Sequence, residues 1–164
     1  MSIGRILKHW VMSPVPVTLA FPQSSLDAVT KCIEECEQQT GAEFRLIIER
    51  SIPSKRLREN ITDAQRAKEL FGRYGVWDTE DNNGVLIYLN LSDRAIEIYL
   101  DRGAAREVAQ TQLDDIVKQM EIAFADKKFV EGVCQAFRSL AAILSKPFPN
   151  KPVQDPVPNT PVVL

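Results

Sequence analysis

The sequence predicts an α/β protein, a three-layer α/β/α sandwich built on a small mixed sheet. Three observations carry this reading: the continuously apolar run GVLIYLNL at residues 84–91, the alternating segment RAIEIYLD that follows a short polar break, and helical apolar periodicity on either side of them. A strand that is apolar on both faces must be covered on both faces. A parallel pair joined by a helix and extended by an antiparallel hairpin provides that cover.

In order along the chain, Ile3, Ile6, Leu7, Trp10 and Val11 recur at helical spacing beside Arg5, Lys8 and His9. This predicts a short amphipathic helix, either docked on its own domain or, as the weaker alternative, laid on an anionic membrane surface through residues 1–12. From Ser24 the stripe Leu26, Val29, Cys32, Ile33, Cys36 predicts a helix opened by the capping residues Ser24 and Ser25 and stopped at Gly41. EFRLIIE at 43–49 reads as a strand, and Ser51, Pro53 and Ser54 as a loop. Thr62 to Gln65 has the form of a capping box, ahead of Ala67, Leu70, Phe71 and Tyr74 on one face and a stop at Gly75. The hairpin strands follow at 84–91 and 94–101. A helix capped by Thr111 then carries Leu113, Ile116, Val117, Met120 and Phe124, and a last one carries Phe129, Val133, Phe137, Leu140, Ala141 and Leu144. Six prolines in residues 147–164 predict an extended or disordered tail. The domain organisation read this way is an N-terminal segment 1–23, one domain at 24–146, and a Pro-rich flexible tail at 147–164.

A chain of 164 residues, 45% of them hydrophobic, builds one sizeable core without cross-links. Its 20 Lys and Arg nearly balance 22 Asp and Glu, so composition implies no broad basic face for a nucleic-acid backbone and no nucleic-acid partner is expected. Cys32, Cys36 and Cys134 are odd in number and fit no disulfide framework; they read as core residues of a protein in a reducing compartment rather than as a soft-metal clamp. No run is long enough to span a membrane and the N-terminus lacks a secretory h-region, which predicts a cytoplasmic chain. A protein partner for the basic N-terminus or the Pro-rich tail stands as a weaker expectation.

The chemistry concentrates before the first hairpin strand. If 84–91 pairs with 94–101, the end of the second strand returns to the loop VWDTEDNN, and Asp101 joins Asp78, Glu80, Asp81, Asn82 and Asn83. Such a set of hard oxygen donors suits Ca²⁺ or Mg²⁺. The loop is not an EF-hand: Asn83 stands where the turn glycine belongs, and Leu89 where the bidentate glutamate belongs. A polar turn before a buried strand, with Asn83 taking a left-handed backbone, accounts for the same residues. Arg66, Arg94 and Arg102 flank the region and read either as phosphate-binding forks or as surface partners of neighbouring carboxylates. His9 is the sole histidine, and no GxSxG, P-loop or GxGxxG motif occurs.

Residues 65–103, QRAKELFGRYGVWDTEDNNGVLIYLNLSDRAIEIYLDRG, resemble the TPM domain family, and with the FADKKFVEGV stretch the resemblance runs from about 24 to 146. The short bacterial form with WDTE and NNGVLIYL is the nearest in pattern. The resemblance implies an α/β/α fold, a divalent cation as cofactor, Ca²⁺ before Mg²⁺, and the ligands Asp78, Asp81, Asn83 and Asp101. It also implies Arg66 as a substrate or structural contact and acid phosphatase activity like that attached to some members; if the chain is such an enzyme, Arg102 is a second guanidinium that could contact substrate and steady phosphoryl charge. Other members are binding or assembly domains, so fold alone does not decide between a cation-binding module and a metal-assisted phosphomonoesterase.

Overall fold

The structure, a computed structural model, describes residues 16–151 and 157–164. The amphipathic segment expected at 3–11, the membrane contact expected at 1–12, and His9 lie outside the described residues. The elements are α1 (Val17–Ala20), α2 (Gln23–Glu37), β1 (Glu43–Glu49), α3 (Ser54–Arg58), α4 (Asp63–Arg73), β2 (Gly84–Asn90), β3 (Ala95–Leu100), α5 (Arg102–Glu107), α6 (Gln110–Ala125), α7 (Phe129–Leu144) and β4 (Val162–Val163).

The sheet order is β3-β2-β1-β4. β1 and β2 run parallel with Glu43 opposite Gly84 and Glu49 opposite Asn90, while β2 and β3 form the antiparallel hairpin. Every residue of β1 and β2 is buried, which is what their unbroken apolar runs require. Alternation then divides the side chains. Phe44, Leu46, Ile48, Val85, Ile87 and Leu89 pack into the larger core with α2, α6 and α7. Ile47, Leu86 and Tyr88 face the other way, against Ala67, Leu70 and Phe71 of α4. The fold is therefore α/β, with helices on both faces of a mixed sheet. Among the described residues no helix is long and apolar enough to cross a membrane.

Local chemistry explains most boundaries. Thr62 Oγ1 accepts a hydrogen bond from the Gln65 amide and the Gln65 side-chain oxygen accepts one from the Thr62 amide, closing the expected capping box of α4. Gly75, at φ 68°, follows its end. Cys32, Cys36 and Cys134 are buried in the larger core, and the Cys32 thiol donates to the Cys134 carbonyl at 3.8 Å.

Five local expectations are corrected. Helix α2 starts behind Pro22, whose fixed φ pre-sets the first turn, so Ser24 and Ser25 lie inside the helix and cap nothing. Gly41 is not a left-handed stop, because α2 already ends at Gln38 in right-handed geometry. Helix α6 starts behind Ala109, where the Gln112 side chain accepts from the Ala109 amide, so Thr111 is internal. The left-handed residue of the polar loop is Asn82, at φ 52°, and not Asn83. The Pro-rich segment does not simply trail away: Val157 and Pro161 are buried and Val162–Val163 adds a parallel strand to β1. Proline lacks a donor but tolerates an edge strand, and the Arg50 and Leu164 amides complete the ladder on Leu164 and Ile48 carbonyls.

Candidate functional site

The loop between α4 and β2 begins at the fully buried Val76, which anchors it to the sheet, and then exposes Trp77. The Asp78 amide donates to the Gly75 carbonyl at 3.0 Å, the Asn82 amide to the Thr79 carbonyl at 3.3 Å, and the Asn83 amide to Thr79 Oγ1 at 3.0 Å. These bonds curl 78–83 into a tight turn. Asn83 is buried, and its Nδ2 donates to the Gly41 carbonyl at 2.7 Å, which ties the loop to the entry of β1. That bond leaves only the amide oxygen of Asn83 as a ligand atom.

The hairpin register brings Asp101 to this loop. The Asp101 amide donates to the Gly84 carbonyl at 2.9 Å, and the Gly103 and Ala104 amides donate to the Asn82 carbonyl at 2.8 and 3.2 Å. One carboxylate oxygen of Asp101 accepts from the Arg102 amide at 2.7 Å and caps α5. The other, Oδ2, is buried with no hydrogen-bond partner. An unpaired buried carboxylate oxygen is costly, and a nearby cation relieves it. Arg102 reaches the same loop, with Nη2 3.3 Å from Asn82 Oδ1.

Asp81 turns outward. Its Oδ2 lies 2.7 Å from the ammonium group of Lys151, which also lies 3.1 Å from Glu80. Among the described residues, no three His, Cys, Asp or Glu side chains stand arranged to hold a metal ion. A cation at this edge would draw on the Asp101 and Asp78 carboxylates, the Asn83 amide oxygen, the Asp81 carboxylate in place of its Lys151 contact, backbone carbonyls and water, the mixed set that Ca²⁺ accepts.

Arg66 is elsewhere. It sits on α4 beside the far end of the parallel strands, six residues along β1 from Glu43, which at strand rise is about 20 Å from the acidic loop. Its guanidinium forms a fork on Glu49, Nε at 3.0 Å and Nη2 at 2.6 Å, and a third contact with Glu69 at 3.2 Å. Tyr88 donates to the same Glu49 carboxylate at 2.8 Å, and Arg56 closes on Glu69 at 2.8 Å. With Arg66 and Glu49 only 4% and 3% exposed in their side chains, this is a buried, saturated network. The Glu49 bonds hold the Arg66 pKa above its ordinary value, and burial with Glu49 pushes the Tyr88 phenol up. Arg66 is therefore not brought to the acidic edge.

The same end of the sheet carries Asn90, whose Nδ2 donates to Asp63 at 2.8 Å and Asp93 at 3.0 Å. Nearby, burial and then the Asp63 charge raise the Glu97 carboxyl to about 7, and at the opposite end of β1 burial raises Glu37, which accepts from the Phe44 amide, to about 7. Both folded pKa values exceed the unfolded value, so the stability these groups contribute is complete below about pH 4.5 and is lost as pH rises through 7. Glu97→Gln is expected to raise the thermal midpoint by a few degrees at pH 8 and to leave it unchanged at pH 4, as read by circular dichroism melting. A rise of equal size at both pH values would refute the burial argument.

The TPM domain family matches residues 19–143, most of the chain. The chain belongs to the TPM domain family. No curated protein matches it significantly. Among solved structures, this TPM domain is similar to the BA42 protein of the psychrophilic bacterium Bizionia argentinensis, solved by NMR. The two share 26% identity over 86% of this chain and 93% of that one, with a TM-score of 0.74. In this TPM domain the 78–83 loop, Asp101 and Arg102 meet at one edge of the fold. Sequence reasoning missed Glu49 and Tyr88 as the partners of Arg66, although a glutamate closing a doubly covered strand signals a buried cation nearby. It also missed Lys151, for which no periodic or motif signal exists.

Proposed function

We propose that this TPM domain is a divalent-cation-binding module, with Ca²⁺ preferred to Mg²⁺, acting at the edge formed by Asp78, Asp81, Asn83 and Asp101. The observation that carries the reading is Asp101: one oxygen is committed to capping α5 and the other is buried without a partner beside an acidic loop. Mg²⁺ demands a near-ideal octahedron, whereas Ca²⁺ tolerates the irregular set of carboxylate, amide and carbonyl oxygens available here.

A second reading, metal-assisted hydrolysis of phosphate monoesters, draws support from Arg102 at the same edge, where a guanidinium would steady phosphoryl charge. Ca²⁺ is expected to raise the thermal midpoint of the wild type and not of an Asp78→Asn/Asp101→Asn variant, since a ligand that binds only the folded state stabilises it. Cation-dependent turnover of a phosphate monoester that vanishes in this variant would favour the enzyme. Stabilisation with no turnover would favour the module.

A further inference from the structure

The segment that follows α7 crosses the entry of β1 and ends against the acidic loop. Its path is fixed by backbone groups. The Phe148 carbonyl accepts from the Gly41 amide at 2.8 Å and from Thr40 Oγ1 at 2.8 Å, and Asn150 Nδ2 donates to the Gln38 carbonyl at 3.0 Å. Gly41 permits the approach, because a β-carbon there would lie 2.9 Å from the Pro149 carbonyl oxygen. Through Asn83 Nδ2 on the Gly41 carbonyl, the same turn also holds the acidic loop. Two neighbouring anchors therefore carry a carboxylate cluster on one side and Lys151 on the other.

We propose that Lys151 is the built-in counter-ion of this edge: its ammonium group neutralises Asp81 and Glu80, and a divalent cation binds by displacing it. The inference rests on the cation reading and adds its regulation. Lys151 Nζ lies 2.7 Å from Asp81 Oδ2 and 3.1 Å from Glu80 Oε2. Asp81 thus has its charge matched while Asp101, at the start of the helix that packs on the Asp81 and Asn82 backbone, keeps one buried oxygen without a partner. Because Lys151 is tethered by Phe148 and Asn150, its local concentration is high and does not fall on dilution, so an external cation always competes against it. The lysine is about 41% exposed in its side chain and its partners are exposed too, which keeps the competition weak enough for a divalent ion to win. Lysine suits this role: it is a compact monovalent charge that ties up carboxylate without supplying ligand oxygens.

The test is a calorimetric titration with CaCl₂ of four full-length proteins: wild type, Lys151→Met, Lys151→Arg, and Lys31→Met as a charge-matched change on the exposed face of α2. Losing two exposed ion pairs is expected to tighten Ca²⁺ binding by about 3- to 10-fold in Lys151→Met. Lys151→Arg should stay close to the wild type, and Lys31→Met should not change. Binding by wild type and Lys151→Met with the same Kd would overturn the counter-ion role and leave the cation site standing, and equal tightening in Lys31→Met would reduce the effect to net charge and overturn it as well. Absence of binding in all four would overturn the cation reading itself and the inference with it.

Discussion

Arg66→Ala is expected to destabilise the fold by about 3–5 kcal/mol, the usual consequence of stranding one member of a buried ion pair. The charge left behind is Glu49, 3% exposed and at the end of a fully buried strand, with Tyr88 as its remaining donor. Urea unfolding should show a large fall in midpoint at nearly constant slope. Arg66→Ala combined with Glu49→Gln should recover part of the loss, because the stranded charge is then removed. Loss of less than about 1 kcal/mol would mean that the pair is far more solvated than its burial indicates. Cation affinity, read separately, should be unaffected in the folded fraction, since Arg66 stands at the opposite end of β1 and β2 from the acidic loop.

Gly103→Ala is expected to disturb the acidic edge itself. A β-carbon at Gly103 would lie 2.5 Å from the Asp81 carbonyl oxygen and 2.6 Å from that of Asn82, both backbone atoms that cannot swing aside. Overpacking of this kind costs about 1–3 kcal/mol. The shift would also pull Asp101 away from the loop, because the Gly103 and Ala104 amides are what hold the Asn82 carbonyl beside α5. Gly72→Ala is the matched comparison: its β-carbon meets nothing within 4 Å inside α4, so it should be neutral or stabilise by up to about 1 kcal/mol. Equal thermal melts for the two variants would show that the contact at Gly103 is not tight.

The fold was legible where the chain is strongly patterned. The double-sided apolar run at 84–90 and the alternation at 95–100 dictated the hairpin, and Thr62 with Gln65 marked the start of α4. What local pattern did not reveal depended on partners distant in sequence. β4 is two residues in a proline-rich stretch and exists because the free edge of β1 offers it a ladder. Gly41 looked like a helix stop, yet its lack of a side chain is used for the approach of Pro149. At the site, hairpin geometry alone placed Asp101 beside the 78–83 loop. Of the two readings of Arg66, the pairing with a carboxylate on its own helix is met by Glu69, while its fork on Glu49 was not legible because a helical position says which face a side chain occupies and not which end of the sheet it meets. Lys151 arrives by a backbone path that nothing in its own neighbourhood announces.

Calorimetric titration of Ca²⁺, then Mg²⁺, into wild-type protein and the Asp78→Asn/Asp101→Asn variant tests the cation site at the acidic edge. Asparagine keeps the Oδ1 acceptor that caps α5, so the variant should remain folded by circular dichroism. The predicted result is saturable binding by the wild type, tighter for Ca²⁺ than for Mg²⁺, and its loss in the variant. Wild-type protein that takes up neither ion, or a folded variant that binds as the wild type does, would contradict it.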